Sequence, residues 1–327
     1  MQQDAQNYRT LDVIVLAGGR SSERDVSLNS GRCVADSLHR RGHAVRVIDP
    51  AFVSLTSGLL RSCDIVLPMV HGTGGEDGEL QQHLESLKIP FCGSSAAASA
   101  LTFDKVATRS RLQQYDLPVA AGTAFGRIDV IADPNAVQDA ADALGYPLVV
   151  KPAAQGSSIG VSVVRSRDDL DAAVQAAFQW GSVILLEQYI PGREVTVPIV
   201  DGAVFPAVEI IPAGGWYDYH AKYQDEQTQY RIQPAGLPAG VLDASLRACE
   251  VCGVTGISRV DLRVNPSGEF FILEINTIPG MTSHSLVPMS AAACGLDPGE
   301  LWEGSLHRAL SRLRLSSSPD AKSNTAA

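Results

Sequence analysis

The chain has 327 residues, 45% of them hydrophobic and 19% charged, with 29 glycines and 18 prolines. That is the balance of a globular enzyme with room for two or three domains, and it argues against a disordered, fibrous or small disulfide-built chain. The formal net charge is -10, from 36 acidic against 26 basic residues with no dense Lys/Arg run, so a nucleic-acid or anionic-membrane surface is not expected, and any anionic ligand has to be held by a few local cations.

Strand-like runs alternate with amphipathic stretches from the start. Leu11 to Ala17 is followed by a Gly/Ser turn and a helix to about Arg41, then by Ala44 to Ile48 and Ile65 to Val70, the pattern of a parallel α/β layer. After Pro90 come a short strand over Phe91 to Ser94, one helix over Ala96 to Gln114, a strand near Thr123, a helix over Asn135 to Leu144 and a strand over Pro147 to Lys151. Val183 to Val200 carries two β-branched runs either side of Pro191-Gly192, and Asp243 to Cys252 reads as a helix. Arg259 to Val264 and Glu269 to Asn276 flank Asn265-Pro266-Ser267-Gly268 as a hairpin. Ala213 to Ile232 is polar, Gly- and Tyr-rich and without period, which marks either a functional lid or an unrecognised element. The expected units are 1–101, a Rossmann-like parallel-sheet domain; 102–182 and 183–312, both mixing helices and strands; and a disordered tail over 313–327. No apolar run approaches the ~20 residues of a membrane span, and Met1 to Thr10 lacks a basic segment followed by an apolar core, so the expectation is a soluble, cytoplasmic protein with no membrane partner.

Several familiar chemistries are absent. No Gly-Lys dipeptide occurs, which excludes a Walker A loop. Gly72-Thr73-Gly74-Gly75-Glu76-Asp77-Gly78 comes close to a dinucleotide fingerprint, but its third glycine is one residue late. The six cysteines form no disulfide ladder, and Cys249 with Cys252 reads as a packing pair because no second pair stands in metal spacing.

Lysine is scarce: Lys88, Lys105, Lys151, Lys222 and Lys322 are the whole set. Lys151 ends a strand and precedes Gln155-Gly156-Ser157-Ser158-Ile159-Gly160, a loop able to wrap a phosphate with its N–H groups and hydroxyls, or equally a turn beside a surface lysine. In the hairpin, a four-residue turn pairs Val264 with Glu269, which puts Asp261 opposite Ile272 and Arg259 opposite Glu274. Arg259, Asp261, Glu274 and Asn276 then share one face by the two-residue period. Two carboxylates about 7 to 8 Å apart on a diagonal, with an amide oxygen, suit Mg²⁺ and its phosphate ligands; an isolated hairpin would equally show a solvated polar face.

The company of that face decides between the two. Directly after Asn276 comes Thr277-Ile278-Pro279-Gly280-Met281-Thr282-Ser283-His284-Ser285, a turn that can aim the Gly280 N–H at an oxyanion. Glu274-Ile275-Asn276 with Pro279-Gly280-Met281-Thr282, preceded by Arg259-Val260-Asp261, strongly resembles the D-alanine:D-alanine ligases of the ATP-grasp superfamily. Further blocks resemble the family in its own order over about residues 13 to 310: Gly18 to Leu28, His71 to Gly78, Phe103-Asp104-Lys105, Val150-Lys151-Pro152, and the lid-like Tyr217 to Tyr223.

The resemblance implies a three-domain ATP-grasp fold with nucleotide bound between two α+β subdomains, and an enzyme that joins two D-alanines through an acyl phosphate. It implies two Mg²⁺ (or Mn²⁺) on Asp261, Glu274 and Asn276, with ATP bound by Lys105, Lys151, Ser158, Glu187, Glu194 and Lys222. Glu23 would take the ammonium of the first D-alanine, linked to Ser157 and Tyr223; Arg259 and Gly280 would hold the oxyanion. His71 would neighbour the first substrate, and Ser285 and Leu286 would line the second pocket. Tyr223 beside Lys222 resembles the dipeptide-forming members, not those making D-alanyl-D-lactate, and the family suggests a homodimer. Asp25, Gln82 and Ile278 depart from the pattern, which bears on the shape of the pocket more than on the reaction.

Overall fold

The computed structural model describes residues 8–133, 135–215, 217, 222, 225 and 227–316. Its strands fall into three sheets that follow one another along the chain. The first is parallel, with β1 (Asp12–Leu16) between β2 (Ala44–Ile48) and β3 (Ile65–Pro68). β1 and β3 are almost wholly buried, as expected of a parallel layer covered by helices. The run at Phe91 contributes only a single bridge to Val66.

The second sheet is antiparallel in the order β4-β7-β5-β6, from β4 (Gly122–Gly126), β5 (Leu148–Pro152), β6 (Ser162–Val164) and β7 (Val183–Gln188). β7, which the sequence assigned to the start of the third unit, thus hydrogen-bonds to β4 and β5 instead. Its apolar Ile184 and Leu186 pack in the same core as Leu148 and Val150, so the change of sheet comes after Gln188.

The third sheet contains β8 (Arg193–Val200), β9 (Ala203–Val204), β10 (Val208–Ile211), β11 (Gln229–Ile232), β12 (Ile257–Val264) and β13 (Phe270–Asn276). Its order is β11-β10-β8-β12-β13, with β9 on β8. β11 lies inside the stretch that showed no period, and its pairing with β10 supplies the structure its own sequence does not specify.

Two further expectations change. Ala96 to Gln114 is not one helix but two, Ala96–Phe103 and Lys105–Gln113, broken at Asp104 with ψ of 106°. The Asp104 carboxylate caps the second helix by accepting the N–H groups of Val106 and Ala107, at 2.9 and 3.1 Å. At the other end of the chain the helix Pro298–Ser316 runs past residue 312, where the tail was set; residues 317–327 lie outside those described. Leu301, Trp302, Leu306 and Ala309 recur at helical spacing and are buried against Val13, Val34 and Leu38 of the first layer. That core also takes in Ile278 and Met281, so the turn carrying Gly280 is anchored on both sides by apolar burial. Among the described residues no helix is long and apolar enough to cross a membrane.

Candidate active site

Glu23 opens the helix Arg24–Arg40 and is buried. The Ser157 hydroxyl donates to its Oε1, while its Oε2 has no hydrogen-bond partner. That open oxygen is walled by two glycines: a Cβ on Gly72 would lie 2.7 Å from it, and one on Gly156 would overlap it. The Gly72 N–H in turn donates to Glu76 Oε2 at 2.8 Å, and the other Glu76 oxygen is also unpartnered, with His71 Nδ1 3.9 Å away. Burial and then repulsion from Glu76 push the Glu23 carboxyl above the usual range, against the pull of Ser157, His71 and Lys222. Two buried carboxylates with open oxygens in one pocket form a site for a cation that donates hydrogen bonds.

The neighbouring cleft is lined by cations. The break at Asp104 re-aims the chain so that Lys105 Nζ reaches Glu274 at 3.1 Å and donates to the Gln155 carbonyl at 2.6 Å. Lys151, on β5, closes on Glu187 of β7, and Arg109 holds the other oxygen of that carboxylate at 2.6 Å. Glu194, on β8, meets Arg263 at 3.1 Å, although burial first and foremost drives its pKa upward. Lys222 Nζ sits 5.2 Å above the Tyr217 ring. Ser157 and Ser158 both take left-handed backbone, φ 51° and 58°, a cost that non-glycine residues carry mostly at functional loops, and the Ser158 hydroxyl donates to the Tyr217 carbonyl at 3.2 Å.

The hairpin differs from its sequence-based register in two steps. Val264 pairs with Phe270, one residue later than expected, and a bulge at Leu273 moves the rest by one more, so Asp261 faces Glu274 directly and Arg259 faces Asn276. The four side chains still share a face, because both shifts together preserve the two-residue period. Asp261 accepts Arg259 Nε at 3.0 and 3.1 Å and the Thr196 hydroxyl at 2.5 Å. Burial opposes ionisation of Glu274, but Lys105, Lys222, Arg259 and Lys151 outweigh it and hold its carboxyl well below the usual range. Asn276 Oδ1 accepts the Ile278 N–H at 3.0 Å, which fixes the amide and leaves a second lone pair.

This oxygen set fits a hard divalent cation. Among the described residues no cluster of three or more His, Cys, Asp or Glu side chains could hold a metal, so any ion here would depend on Asn276 and on oxygens brought by a ligand.

Past the hairpin, the Thr282 N–H donates to Ser285 Oγ at 3.0 Å, which folds Ser285 back over Gly280. Leu286 is buried beside Val208, Ile210 and Tyr217. Ser30, which the sequence did not single out, accepts the Met281 N–H at 3.1 Å and contacts His71 Nε2 at 3.2 Å, tying the first pocket to the turn.

Glu23, His71, Lys105, Ser157, Lys222, Arg259, Glu274, Asn276 and Gly280 thus line one pocket, and Lys105, Lys151, Ser158, Glu187, Glu194, Lys222, Asp261 and Glu274 line the next. Lys105, Lys222 and Glu274 belong to both. Ser285 and Leu286 lie at the margin, lining neither pocket, and Tyr223 falls outside the described residues. Glu76, Arg109, Ser30 and Thr196 were missed. Glu76 stood within the Gly72 to Gly78 block, whereas the other three carry no local signal and are found only through partners distant in sequence.

A parallel layer followed by two antiparallel sheets, with a cation-lined cleft opening beside an acidic pocket, is the architecture of an ATP-grasp enzyme. The family models "D-ala D-ala ligase N-terminus" and "D-ala D-ala ligase C-terminus" match residues 51–94 and 111–305, and the chain belongs to the D-alanine–D-alanine ligase family. It is 41% identical over 303 residues to the D-alanine–D-alanine ligase of Gloeobacter violaceus, covering 91% of this chain and 99% of that protein. It superposes on the crystal structure of D-alanine–D-alanine ligase from Bacillus anthracis complexed with ATP with a TM-score of 0.79 at 30% identity, over 94% of this chain and 100% of that one. The crystal structure of VanG D-Ala:D-Ser ligase from Enterococcus faecalis gives 0.78 at 27% identity, over 92% and 100%. Overall shape therefore does not separate the second substrates.

Proposed function

We propose that the acidic pocket and the cation-lined cleft are the amino-acid and nucleotide halves of one active site. The enzyme joins two D-alanines to D-alanyl-D-alanine with cleavage of ATP to ADP, for peptidoglycan precursor synthesis. The observation that carries this reading is the shared wall: Lys105, Lys222 and Glu274 border both pockets, so a carboxylate bound in one would face a terminal phosphate bound in the other.

In this reading the carboxylate of the first D-alanine attacks the γ-phosphorus, ADP leaves, and the amine of the second D-alanine displaces phosphate from the acyl phosphate. Glu23 holds the first ammonium through its open oxygen, with Ser157 and His71 around it. Lys105, Lys151 and Lys222 neutralise phosphate charge, Ser158 hydrogen-bonds phosphate oxygen, and Glu187 and Glu194 take the adenine and ribose. Arg259 and the Gly280 N–H stabilise the tetrahedral oxyanion, and Ser285 and Leu286 orient the second D-alanine. Asp261, Glu274 and Asn276 would hold two Mg²⁺ or Mn²⁺ ions, whose contribution when bound is neutralisation of the phosphates. Units divided near residue 101 and between 188 and 193, a homodimer and a cytoplasmic location belong to the same proposal.

Mg²⁺-dependent ADP release with D-alanine alone, and product identification by mass, tests it. Dipeptide formation is expected. Turnover only with added D-serine or D-lactate would move the second substrate, and no turnover with any pair would leave a nucleotide-binding protein.

A further inference from the structure

Lys151 and Arg109 share a single carboxylate. Lys151 Nζ closes on Glu187 Oε2 and Arg109 Nη1 on Oε1, and all three side chains are at most 7% exposed. Arg109 follows Lys105 by four residues on the helix Lys105–Gln113, so both cations leave from one face of it. Lys105 turns to Glu274 on the third sheet, Arg109 to Glu187 on the second. Lys151 and Glu187 line the nucleotide cleft; Arg109 does not, and stands behind Glu187.

The charge balance of this triad determines what Lys151 is able to do. A buried Lys–Glu pair alone would be neutral and closed on itself. Moving its ammonium to a phosphate would strand Glu187 in a dry site without a counter-ion, which is costly. A second cation removes that obstacle, because the guanidinium keeps Glu187 neutralised while Lys151 turns away, and the triad as a whole carries one positive charge towards the cleft. We propose that Arg109 is a positioning residue for nucleotide binding: it holds the Glu187 carboxylate so that Lys151 can transfer to the polyphosphate. This rests on the reading above in which Lys151 meets the phosphates. If Arg109 merely pinned its helix to β7, its loss would lower stability without a selective effect on nucleotide.

The test uses the full chain, with dissociation constants for MgADP by calorimetry, KM for ATP and for D-alanine, and melting temperatures. Arg109→Met should weaken MgADP binding and raise KM for ATP on the order of 30-fold, the low end of the effect of truncating one partner of a buried charge pair, with KM for D-alanine unchanged. Arg109→Lys should keep most of the affinity. Because Arg109 acts only through Glu187, Arg109→Met with Glu187→Gln should bind MgADP as well as Glu187→Gln alone, a comparison that holds even if Arg109→Met by itself does not fold. Wild-type affinity in Arg109→Met, or a double variant far weaker than Glu187→Gln, overturns the inference. If Lys151→Met also binds MgADP like the wild type, the assignment of Lys151 to the phosphates is what has failed.

Discussion

Asp261 stands directly across the β12–β13 ladder from Glu274, and each of the two carboxylates is already matched to a cation, Arg259 for the first and Lys105 for the second. Like charges directly opposite one another on a sheet repel, so this pairing persists because the cations offset it. An arriving metal–nucleotide complex would let the carboxylates exchange these partners for the metal, and Lys105 would pass to the phosphates. Glu274→Gln removes one of the oxygens proposed to hold the metal and leaves Lys105 without its carboxylate. We expect ADP release to fall at least 100-fold, the Mg²⁺ requirement to rise and the melting temperature to drop, because the cations that hold Glu274 ionised lose their partner. Retention of wild-type turnover would place the metal elsewhere.

Arg259 with Asp261, and Glu274 with Asn276, were each legible as a pair because side chains alternate along a strand, and the two pairs share a face because two one-residue shifts compensate. The register of the hairpin was not legible, because neither the longer turn nor the bulge at Leu273 leaves a mark in the residue pattern. The break at Asp104 is similar: Asp before Lys105 is a capping signal, but the apolar run around it reads as one continuous helix. Arg109 and Ser30 escaped for another reason, since their partners lie 78 and 251 residues away. Ile278, a departure from the family pattern, is buried in the core beneath the turn, whereas Asp25 and Gln82 are exposed, so none of the three narrows the pocket.

Cys92, Cys249 and Cys252 should behave as packing residues. Burial raises the thiols of Cys92 and Cys249 to about 12 and that of Cys252 to about 11, while Cys33 and Cys294 are exposed. Ellman's reagent should therefore label Cys33 and Cys294 rapidly in the native protein, Cys63 more slowly, and the other three only after unfolding. Rapid native labelling of Cys249 or Cys252 would revive a redox role for that pair.

Gly156→Ala tests the wall around Glu23. The backbone at Gly156 is not left-handed, so alanine is tolerated locally and its lower unfolded-state entropy offsets part of any strain, by about 0.4–1 kcal/mol. Its methyl would overlap the open Glu23 oxygen and turn that carboxylate aside. The expected result is a melting temperature close to wild type with KM for the first D-alanine raised at least tenfold and KM for ATP little changed. An unchanged KM would mean that Glu23 Oε2 is not the ammonium site.

The pH dependence separates Glu23 from Glu274, two of the three acidic groups that border the first pocket. Glu274 is held ionised by its surrounding cations well below the ordinary value of 4.5, so it does not set the acid limb of activity. Glu23 lies on the other side of that value, raised by burial and then by Glu76, with Ser157, His71 and Lys222 pulling against them. An ammonium needs the ionised carboxylate, so kcat/KM for D-alanine should fall as pH drops through a midpoint above 4.5. Glu76→Gln removes the leading charge responsible and should move that midpoint down, while the Glu274→Gln variant, measured on its residual rate, should leave it in place. Stability carries the opposite sign. A carboxyl whose folded pKa is raised contributes fully below 4.5 and loses that contribution as pH rises through its folded value, so in the absence of substrate Glu76→Gln should gain stability relative to wild type as pH increases through this window. Denaturant midpoints at several pH values, with and without D-alanine, measure this directly: the amino acid should restore stability at neutral pH by supplying the missing cation. An acid limb that does not move in Glu76→Gln would assign it to a group other than Glu23.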